Sequence, residues 1–274
     1  MRTPVAPIAI IRVEHGATSA ADDILVAEEP LEIRLGHGPL HDRRETRLSV
    51  TMRTPGHDED LALGFLFTEG LITAPEQLVR AEQCANVKEE ERGNVVRAEL
   101  RPDVDIDPTR WQRNFYTTSS CGVCGKSSIE AVHAQCTRPM MPWGRVDPAV
   151  ITALPDRMRG AQTVFRHTGG IHAAALFHRA GELLLLREDI GRHNAVDKVI
   201  GAALREQRPM HNTILLVSGR AGFELVQKCV VTGIPLMAAV GAPSSIAVRL
   251  ARESGLTLIG FLRGERFNIY SGGA

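Results

Sequence analysis

The chain lacks several features that mark common classes of protein. Aromatic residues make up only 4% of its 274 residues, which argues against a surface that stacks nucleic-acid bases. Its 32 Lys and Arg residues balance 32 Asp and Glu residues, so no global positive field attracts nucleic acid. No apolar run approaches the length of a membrane span, and the N-terminus lacks the organisation of a signal peptide. We therefore expect a cytoplasmic protein that binds neither nucleic acid nor membrane.

A paired set of cysteines is missing as well. The five cysteines are Cys84, Cys121, Cys124, Cys136 and Cys229. An odd number without an even framework is unlike a secreted disulfide scaffold. This agrees with a reducing compartment.

The composition that is present is typical of a globular protein, with 43% apolar and 23% charged residues. From about residue 162 onward, strand-like segments alternate with amphipathic helices at 194–207, 223–232 and 244–253. The strand-like segments are TVFRHTGG, HAAALFH, ELLLLRED, TILLVSG, PLMAAVG and LTLIGFLRG. This alternation predicts an α/β fold with a largely parallel sheet covered on both faces, that is, a three-layer α/β/α domain.

The first part of the chain is less regular and predicts a smaller α+β domain. Residues 1–20 show no clear period, so we expect a flexible tail there. Residues 47–52 alternate as a half-buried strand does, and a helix with acidic residues in its first turn opens at Asp58. A Pro- and Asp-rich stretch then precedes the larger domain. We therefore predict a tail over 1–20, an α+β domain over 21–112 and the α/β/α domain over 113–274.

The sharpest motif is CGVC at residues 121–124, which we expect in a loop that leads into a helix. A helix N-terminus and Lys126 nearby would lower a thiol pKa from its free value of about 8.5. The spacing suits a redox dithiol, half of a metal site or a persulfide carrier, and the alternative is a buried structural pair. A zinc site needs further ligands, for which His133, Cys136 and His172 are the candidates. A thioredoxin-like motif would follow the first strand of a βαβ unit, and this one does not.

Polar residues also gather where predicted strands begin or end. Two glycines precede His172 in TGGIH, and Asp189, Arg192 and His193 follow the run LLLL. Ligand sites of α/β folds are built at the carboxyl ends of parallel strands. We expect a site there; the alternatives are a satisfied core histidine at position 172 and a helix cap formed by Asp189 or Asn194.

Three later strands are each followed by a loop of Ser, Gly and Arg. These loops are SGRAG at 218–222, GAPSS at 241–245 and RGER at 263–266, and Ser244 is a natural N-cap. They match neither the P-loop nor G-x-G-x-x-G, but free backbone N–H groups at a helix start bind anions. Ordinary turn chemistry explains any single loop. The three together predict a pocket for a phosphorylated or nucleotide-like ligand on one side of the sheet.

In combination, these motifs resemble the FdhD/NarQ family of formate dehydrogenase accessory sulfurtransferases. The resemblance runs in the family's order from about Met52 to Ser271. The matching stretches are MRTPGHDEDLALGFLFTEGLI, SSCGVCGK, TGGIHAAAL, REDIGRHNAVDKVIG, SGRAGFELVQK, GAPSSIAV and GLTLIGFLRGERFNIYS. Their ordered occurrence is more specific than any one of them.

The resemblance implies a sulfurtransferase with a cysteine persulfide intermediate. Such a protein accepts sulfur from a cysteine desulfurase and passes it to the molybdenum or tungsten bis-molybdopterin guanine dinucleotide cofactor. The metal of that cofactor needs a terminal sulfido ligand for formate dehydrogenase activity. By likeness, Cys121 bears the persulfide, Cys124 assists it, and no metal is resident. The family resemblance also suggests a homodimer.

The resemblance further implies where the cofactor binds, and the strand-end loops add candidates to that stretch. The cofactor-binding stretch of the family falls on Phe261, Leu262, Arg263, Gly264, Glu265 and Arg266. From the loops we add Ser218, Gly219, Arg220, His172, Arg192 and Ser244 as cofactor-binding candidates. The implied fold of the second domain is like that of cytidine deaminase. Deamination is not expected, because the H-x-E zinc signature is missing after His172.

Two competing hypotheses remain at this point. The chain could be a non-catalytic chaperone that binds the cofactor and its client, with a structural or zinc-bound pair of cysteines. It could also be a thiol-disulfide oxidoreductase, which would oxidise Cys121 and Cys124 reversibly. The variant Cys121→Ala separates the first hypothesis from the persulfide carrier.

Overall fold

A computed structural model describes residues 2–106 and 140–272 of the chain. The strands of its first part are β1 (Val5–Glu14), β2 (Ala17–Val26), β3 (Glu29–His37), β4 (Arg44–Arg53), β5 (Leu78–Gln83) and β6 (Val95–Leu100), with helix α1 (Asp58–Thr68) between β4 and β5. The second part contains α2 (Pro148–Ala161), α3 (Thr163–Thr168), β7 (His172–His178), β8 (Leu183–Asp189), α4 (Arg192–Arg205), β9 (Thr213–Val217), α5 (Phe223–Thr232), β10 (Leu236–Ala239), α6 (Ser245–Ser254), β11 (Thr257–Arg263) and β12 (Arg266–Ser271).

The N-terminal segment is a β-hairpin, a regular structure that the expectation of a flexible tail over residues 1–20 did not include. Strands β1 and β2 pair antiparallel from Val5 opposite Val26 to Glu14 opposite Ala17. The two residues between them, His15 and Gly16, both have positive φ angles, of 51° and 82°, as in a tight hairpin turn. Most side chains of the hairpin are exposed, and local pairing rather than burial therefore organises this segment.

The first core sheet has four strands in the order β4-β3-β6-β5. Strands β3 and β6 are parallel, and the other neighbours are antiparallel. Leu31, Ile33 and Leu35 alternate along β3 and are fully buried, as expected for the inner face of a sheet. This sheet and α1 form the predicted α+β unit.

The second core sheet has six strands in the order β12-β11-β10-β9-β7-β8. Only β9, β10 and β11 are parallel neighbours; β7 and β12 run antiparallel to the strands beside them. The sheet is therefore mixed, which corrects the prediction of a largely parallel sheet. The reason is the short connections after His178 and Arg263, since a crossover between parallel strands needs about a dozen residues or more. The segment TVFRHT also differs from prediction, because Thr163–Thr168 is helix α3.

Helices cover both faces of this sheet, and the three-layer α/β/α arrangement is confirmed. Leu215 and Val217 of β9 belong to the core shared with α4, α5 and α6. Ile214 and Leu216 of the same strand point to the other face, where they join the cluster of α2. Because both faces of β9 are buried, the strand is apolar along almost its whole length. The likeness to cytidine deaminase stays a prediction.

The two sheets are joined through a close crossing of α1 and α4. A Cβ atom added at Gly64 would lie 1.9 Å from the carbonyl oxygen of Asp197, and one added at Gly201 would lie 1.9 Å from that of Asp60. Only glycine permits this approach of two helix backbones. One continuous apolar core includes residues from both parts of the chain, and the domain limits given above stay a prediction. No helix of the described part is long and apolar enough to span a bilayer.

Candidate functional site

Most of the predicted site residues lie at one edge of the six-stranded sheet. Strands β8, β9 and β10 end at this edge, and β7, which runs in the opposite direction, begins there. The edge therefore collects His172, residues 190–193, residues 218–222 and residues 241–244, and residues 261–266 join it from the irregular end of β11. We call this group of residues the loop edge.

Backbone hydrogen bonds connect the loops at 218–222 and 241–245 to each other and to Phe261, which precedes the third loop. Gly241 N donates to Gly219 O at 3.0 Å, and Phe261 N donates to Gly241 O at 3.0 Å. A Cβ atom at Gly241 would lie 3.0 Å from Gly219 O and 3.0 Å from Cγ of Arg220, closer than ordinary van der Waals contact. The predicted meeting of these loops on one side of the sheet is confirmed, and Gly241 is what allows it.

His172, Ser218 and Arg192 meet over the backbone of Gly219. The Oγ atom of Ser218 accepts a hydrogen bond from Ala173 N at 2.9 Å and lies 3.4 Å from Nδ1 of His172. A Cβ atom at Gly219 would be 3.4 Å from the His172 ring and 3.9 Å from Cδ of Arg192. Burial, and then the positive charges of Arg192 and His193, lower the pKa of His172. The imidazole is therefore neutral at pH 7 and able both to donate and to accept a hydrogen bond.

His193 faces a carboxylate rather than the other histidine. Its Nε2 atom is in close ion-pair contact with Oε2 of Glu224. Glu224 lies in the first turn of α5, where a negative charge is favourable. The contact connects the start of α4 to the start of α5 at the loop edge.

Arginines give the loop edge a local positive charge although the chain as a whole is neutral. Arg220, Arg263 and Arg266 are exposed, and Arg192 is half-buried. Arg263 lies opposite Arg266 in the pairing of β11 with β12, and its Nε donates to Val240 O at 3.3 Å. These guanidinium groups can bind phosphate in a bidentate manner.

Within the predicted cofactor stretch, the side chains differ in what they can reach. Phe261 has a φ angle of 53°, and 41% of it is exposed, so strained backbone presents an aromatic ring at the loop edge. Gly264 and Glu265 are exposed in the turn that follows. The side chain of Leu262 is fully buried in the core beside α2. Leu262 can therefore contact a ligand only through its backbone.

Ser244 has the role of helix cap that the sequence predicts. Its Oγ atom accepts a hydrogen bond from Ala247 N at 3.3 Å, at the start of α6. Ala242 and Pro243 of the same loop are half-buried beside Gly241. Ser244 is exposed, so a ligand at the loop edge has access to it.

A buried ion pair supports the turn that bears Arg192. Lys198 Nζ lies 2.7 Å from Oδ2 of Asp189, and both side chains are almost completely buried. The backbone of Thr54 bonds both members of this pair, and its hydroxyl bonds the turn. Thr54 O accepts from Lys198 Nζ at 2.7 Å, Thr54 N donates to Asp189 Oδ2 at 3.2 Å, and Thr54 Oγ1 accepts from Ile190 N at 3.0 Å.

Neither Asp189 nor Asn194 caps α4 with its side chain in the usual way, because the N-cap is Gly191 and has no side-chain partner. Asp189 Oδ1 instead accepts from Gly191 N at 2.8 Å and from Asn194 Nδ2 at 3.1 Å. Asn194 Nδ2 also donates to Met52 O at 2.8 Å. The sequence did not predict the part played by Thr54, for which the only local signal is its place before a Pro-Gly turn.

A second buried network lies between α1, α4 and α5, away from the loop edge. Lys228 Nζ lies 2.9 Å from Asp197 and 3.1 Å from Glu69. Burial opposes the charge of Lys228, but Asp197 and Glu69 more than compensate and raise its pKa. Thr68 Oγ1 accepts from Lys228 at 2.8 Å and donates to Asp197 at 2.8 Å.

The paired cysteines Cys121 and Cys124 lie outside the described residues, as do His133 and Cys136. Of the other two cysteines, Cys229 is fully buried and Cys84 is half-buried. Burial raises the pKa of both thiols, so neither is suited to act as a thiolate. In the ranges 2–106 and 140–272, no group of three or more His, Cys, Asp or Glu side chains is placed to hold a metal ion.

The chain is similar to known proteins over nearly its whole length. The chain is 52% identical over 268 residues to a sulfur carrier protein FdhD of Streptomyces avermitilis, a match that covers 96% of this chain and 92% of the relative. A sulfur carrier protein FdhD of Mycobacterium tuberculosis is 49% identical over 263 residues, covering 91% of this chain and 90% of that protein. A crystal structure from Desulfotalea psychrophila, assigned as a formate dehydrogenase accessory protein, has a TM-score of 0.73 at 22% identity and covers 98% of both chains.

The structural likeness supports the α/β architecture, and the sequence matches identify the family. The model of the FdhD/NarQ family matches residues 26–274, which include both core sheets, the loop edge and the CGVC motif. With relatives at about half identity over nearly the whole chain, this match shows that the chain belongs to the FdhD/NarQ family.

Proposed function

We propose that this chain is a sulfurtransferase that takes persulfide sulfur from a cysteine desulfurase and transfers it to a molybdenum cofactor. The substrate is bis-molybdopterin guanine dinucleotide with its metal, and the client that needs the sulfurated cofactor is formate dehydrogenase. The sulfur-transfer role is supported by relatives named sulfur carrier protein FdhD. The donor, the cofactor, the cytoplasmic location and a homodimer are parts of the proposal.

The observation that carries the proposal is the convergence of three loops and four arginines at the loop edge. Gly219, Gly241 and Phe261 are joined there by backbone hydrogen bonds, next to the half-buried His172 and Arg192. Arginine and free backbone N–H groups suit the phosphates of a guanine dinucleotide. The exposed ring of Phe261 suits contact with a base.

In the loading step, the thiolate of Cys121 attacks the terminal sulfur of the donor's cysteine persulfide. The new bond joins Cys121 Sγ to that sulfur, the sulfur–sulfur bond of the donor breaks, and the donor cysteine leaves as a thiolate. No external oxidant or reductant is needed, because this is thiol exchange. Cys124 assists or shares the sulfur. The neutral His172 and the arginines hold the acceptor at the loop edge.

The first test is intact-protein mass with peptide mapping after incubation with a cysteine desulfurase and cysteine. We expect the wild-type protein to gain the mass of one sulfur atom on Cys121, in a form that a thiol removes. Cys121→Ala should abolish this gain, and Cys84→Ala, which replaces a half-buried thiol elsewhere, should leave it unchanged.

The same sample distinguishes the competing hypothesis of a non-catalytic chaperone. Stoichiometric zinc with no added sulfur would contradict the sulfurtransferase proposal and favour a metal-bound pair of cysteines. Cys121→Ala that still supports formate dehydrogenase activity in cells would also contradict it. Turnover on disulfide substrates would instead indicate a thiol-disulfide oxidoreductase.

A further inference from the structure

The network around Asp189 holds the first half of the turn at residues 190–193 through two backbone N–H groups. Gly191 N is bound by Asp189 Oδ1 at 2.8 Å, and Ile190 N is bound by Thr54 Oγ1 at 3.0 Å. Asn194, the third residue of α4, is tied to the same carboxylate and to the backbone of β4. The acceptors on these two backbone N–H groups therefore come from Asp189 and from the N-terminal part of the chain.

This turn bears Arg192, whose side chain lies close to Gly219 and His172. Its Cδ atom would be 3.9 Å from a Cβ atom at Gly219, beside the ring of His172. Its neighbour His193 contacts Glu224. A displacement of the turn would therefore move two positively charged or ionisable groups away from His172 together.

We infer that Thr54, Asp189 and Asn194 are positioning residues that hold the turn at residues 190–193 so that Arg192 faces His172 and Gly219. The inference rests on the proposed function in one respect, because it takes the loop edge as the binding place of the guanine nucleotide moiety. None of the three residues is expected to touch the ligand, since Thr54 and Asp189 are buried and Asn194 is nearly so.

The second buried network supplies a matched control for this inference. Like Thr54, Thr68 is a buried threonine beside a buried ion pair, but its hydroxyl bonds both members of that pair, Asp197 and Lys228, whereas the hydroxyl of Thr54 bonds the turn through Ile190 N. Both threonines are almost fully buried. Thr68, however, has no contact with the turn or with the loop edge. A purely structural effect should therefore appear in both networks, and a positioning effect in one.

The experiment compares Thr54→Val with Thr68→Val, which remove one buried hydroxyl each and preserve side-chain size. Thr54→Ser, which restores the hydroxyl, is the rescue variant. Three quantities are measured in the full chain: the dissociation constant for guanosine diphosphate by calorimetry, the pKa of His172 by NMR, and the free energy of unfolding in urea. If Thr54→Val fails to fold, Asn194→Ala takes its place, because it leaves the Asp189–Lys198 pair intact.

For Thr54→Val we expect affinity for guanosine diphosphate to fall by about tenfold, the factor that one lost hydrogen bond corresponds to. The pKa of His172 should rise toward its ordinary value, because Arg192 and His193, whose charges lower it, are no longer held beside it. Thr54→Ser should restore both quantities. Thr68→Val should lose at least as much stability, because its hydroxyl bonds two charged groups, and should change neither the affinity nor the pKa of His172.

Equal changes of affinity and of His172 pKa in the two valine variants, or no change of either in Thr54→Val, would overturn the inference. If the wild-type protein binds no guanosine diphosphate, the proposed nucleotide pocket is wrong. The NMR comparison then still decides the positioning role, since it needs no ligand.

Discussion

The chemistry of single residues at the loop edge is set by their surroundings. His172 is an imidazole whose proton affinity is reduced by burial and by two cationic neighbours, and Phe261 is an aromatic residue exposed on strained backbone. Asp189 is a carboxylate fully engaged by Lys198 and by backbone N–H groups. Of these three, only His172 and Phe261 are free to meet a ligand.

The lowered pKa of His172 predicts a pH dependence of stability. In the unfolded chain its pKa is about 6.5, so below that pH the unfolded state binds a proton more readily than the folded state. The contribution of His172 to folding is therefore complete above about pH 6.5 and is lost as the pH falls toward the depressed folded pKa. Urea unfolding should show a smaller loss of stability between pH 7 and 5 for His172→Gln than for wild type.

The control for this prediction is His211→Gln, which replaces an exposed histidine. His37 and His57, whose pKa values burial also lowers, are unchanged in both variants, so the difference from wild type isolates position 172. Parallel pH profiles of wild type and His172→Gln would contradict the prediction.

At the scale of helices and strands, the crossing of α1 and α4 determines how the two sheets are joined. The helices touch at Gly64 and Gly201, where each backbone packs on a carbonyl oxygen of the other helix. Ion pairs lie on both sides of this crossing. Asp60 of α1 is 2.9 Å from Arg187 and 2.8 Å from Arg205. On the other side, Lys228 pairs with Asp197 of α4. The crossing therefore has little room for a larger residue.

Gly201→Ala should destabilise the protein, because its Cβ atom would lie 1.9 Å from the carbonyl oxygen of Asp60. Overpacking of this kind costs about 1 to 3 kcal/mol or more, measured as a lowered free energy of unfolding in urea. The matched control is Gly160→Ala near the end of α2, where nothing lies within 4 Å of an added Cβ. That control should be neutral or stabilising by up to about 1 kcal/mol. If Gly201→Ala were as stable as Gly160→Ala, the two helices would be able to move apart without cost.

At the scale of the whole molecule, the N-terminal hairpin stands apart from the continuous core. Its side chains are mostly exposed, with Ile11 76% and Val13 64% accessible. The family match begins at residue 26, where the hairpin ends. Arg2 makes the main polar contacts of this segment, with Glu29 and with backbone carbonyls at positions 90 and 92.

Removal of residues 2–26 should therefore leave a folded protein. We expect a loss of stability of less than about 2 kcal/mol, the scale of a few exposed contacts, and unchanged loading of sulfur onto Cys121. Circular dichroism and urea unfolding measure the first, and the mass assay measures the second. An unfolded or aggregated product would show that the hairpin is part of the folding core.

Much of this architecture was open to prediction from local pattern. The start of α1 and the limits of α5 and α6 were predicted close to those observed, since apolar periodicity and caps are local. The direction of β7 was predicted wrongly, and the hairpin over residues 5–26 was not predicted. Both depend on which strands become neighbours, and strand direction leaves no mark in the residues of a strand that is buried on both faces.

By itself, the sequence determined the family, the layered α/β architecture and the loops from which a site can be built. Turns, caps and apolar runs depend on residues that are close together in the sequence, so they can be recognised without the tertiary structure. Only the tertiary structure decided how those loops meet. It placed Gly241 between Gly219 and Phe261, buried Leu262 away from the loop edge, and joined Thr54 to Asp189 across 135 residues of chain. Such contacts follow from packing between distant segments, and the residues that make them show no periodicity along the chain.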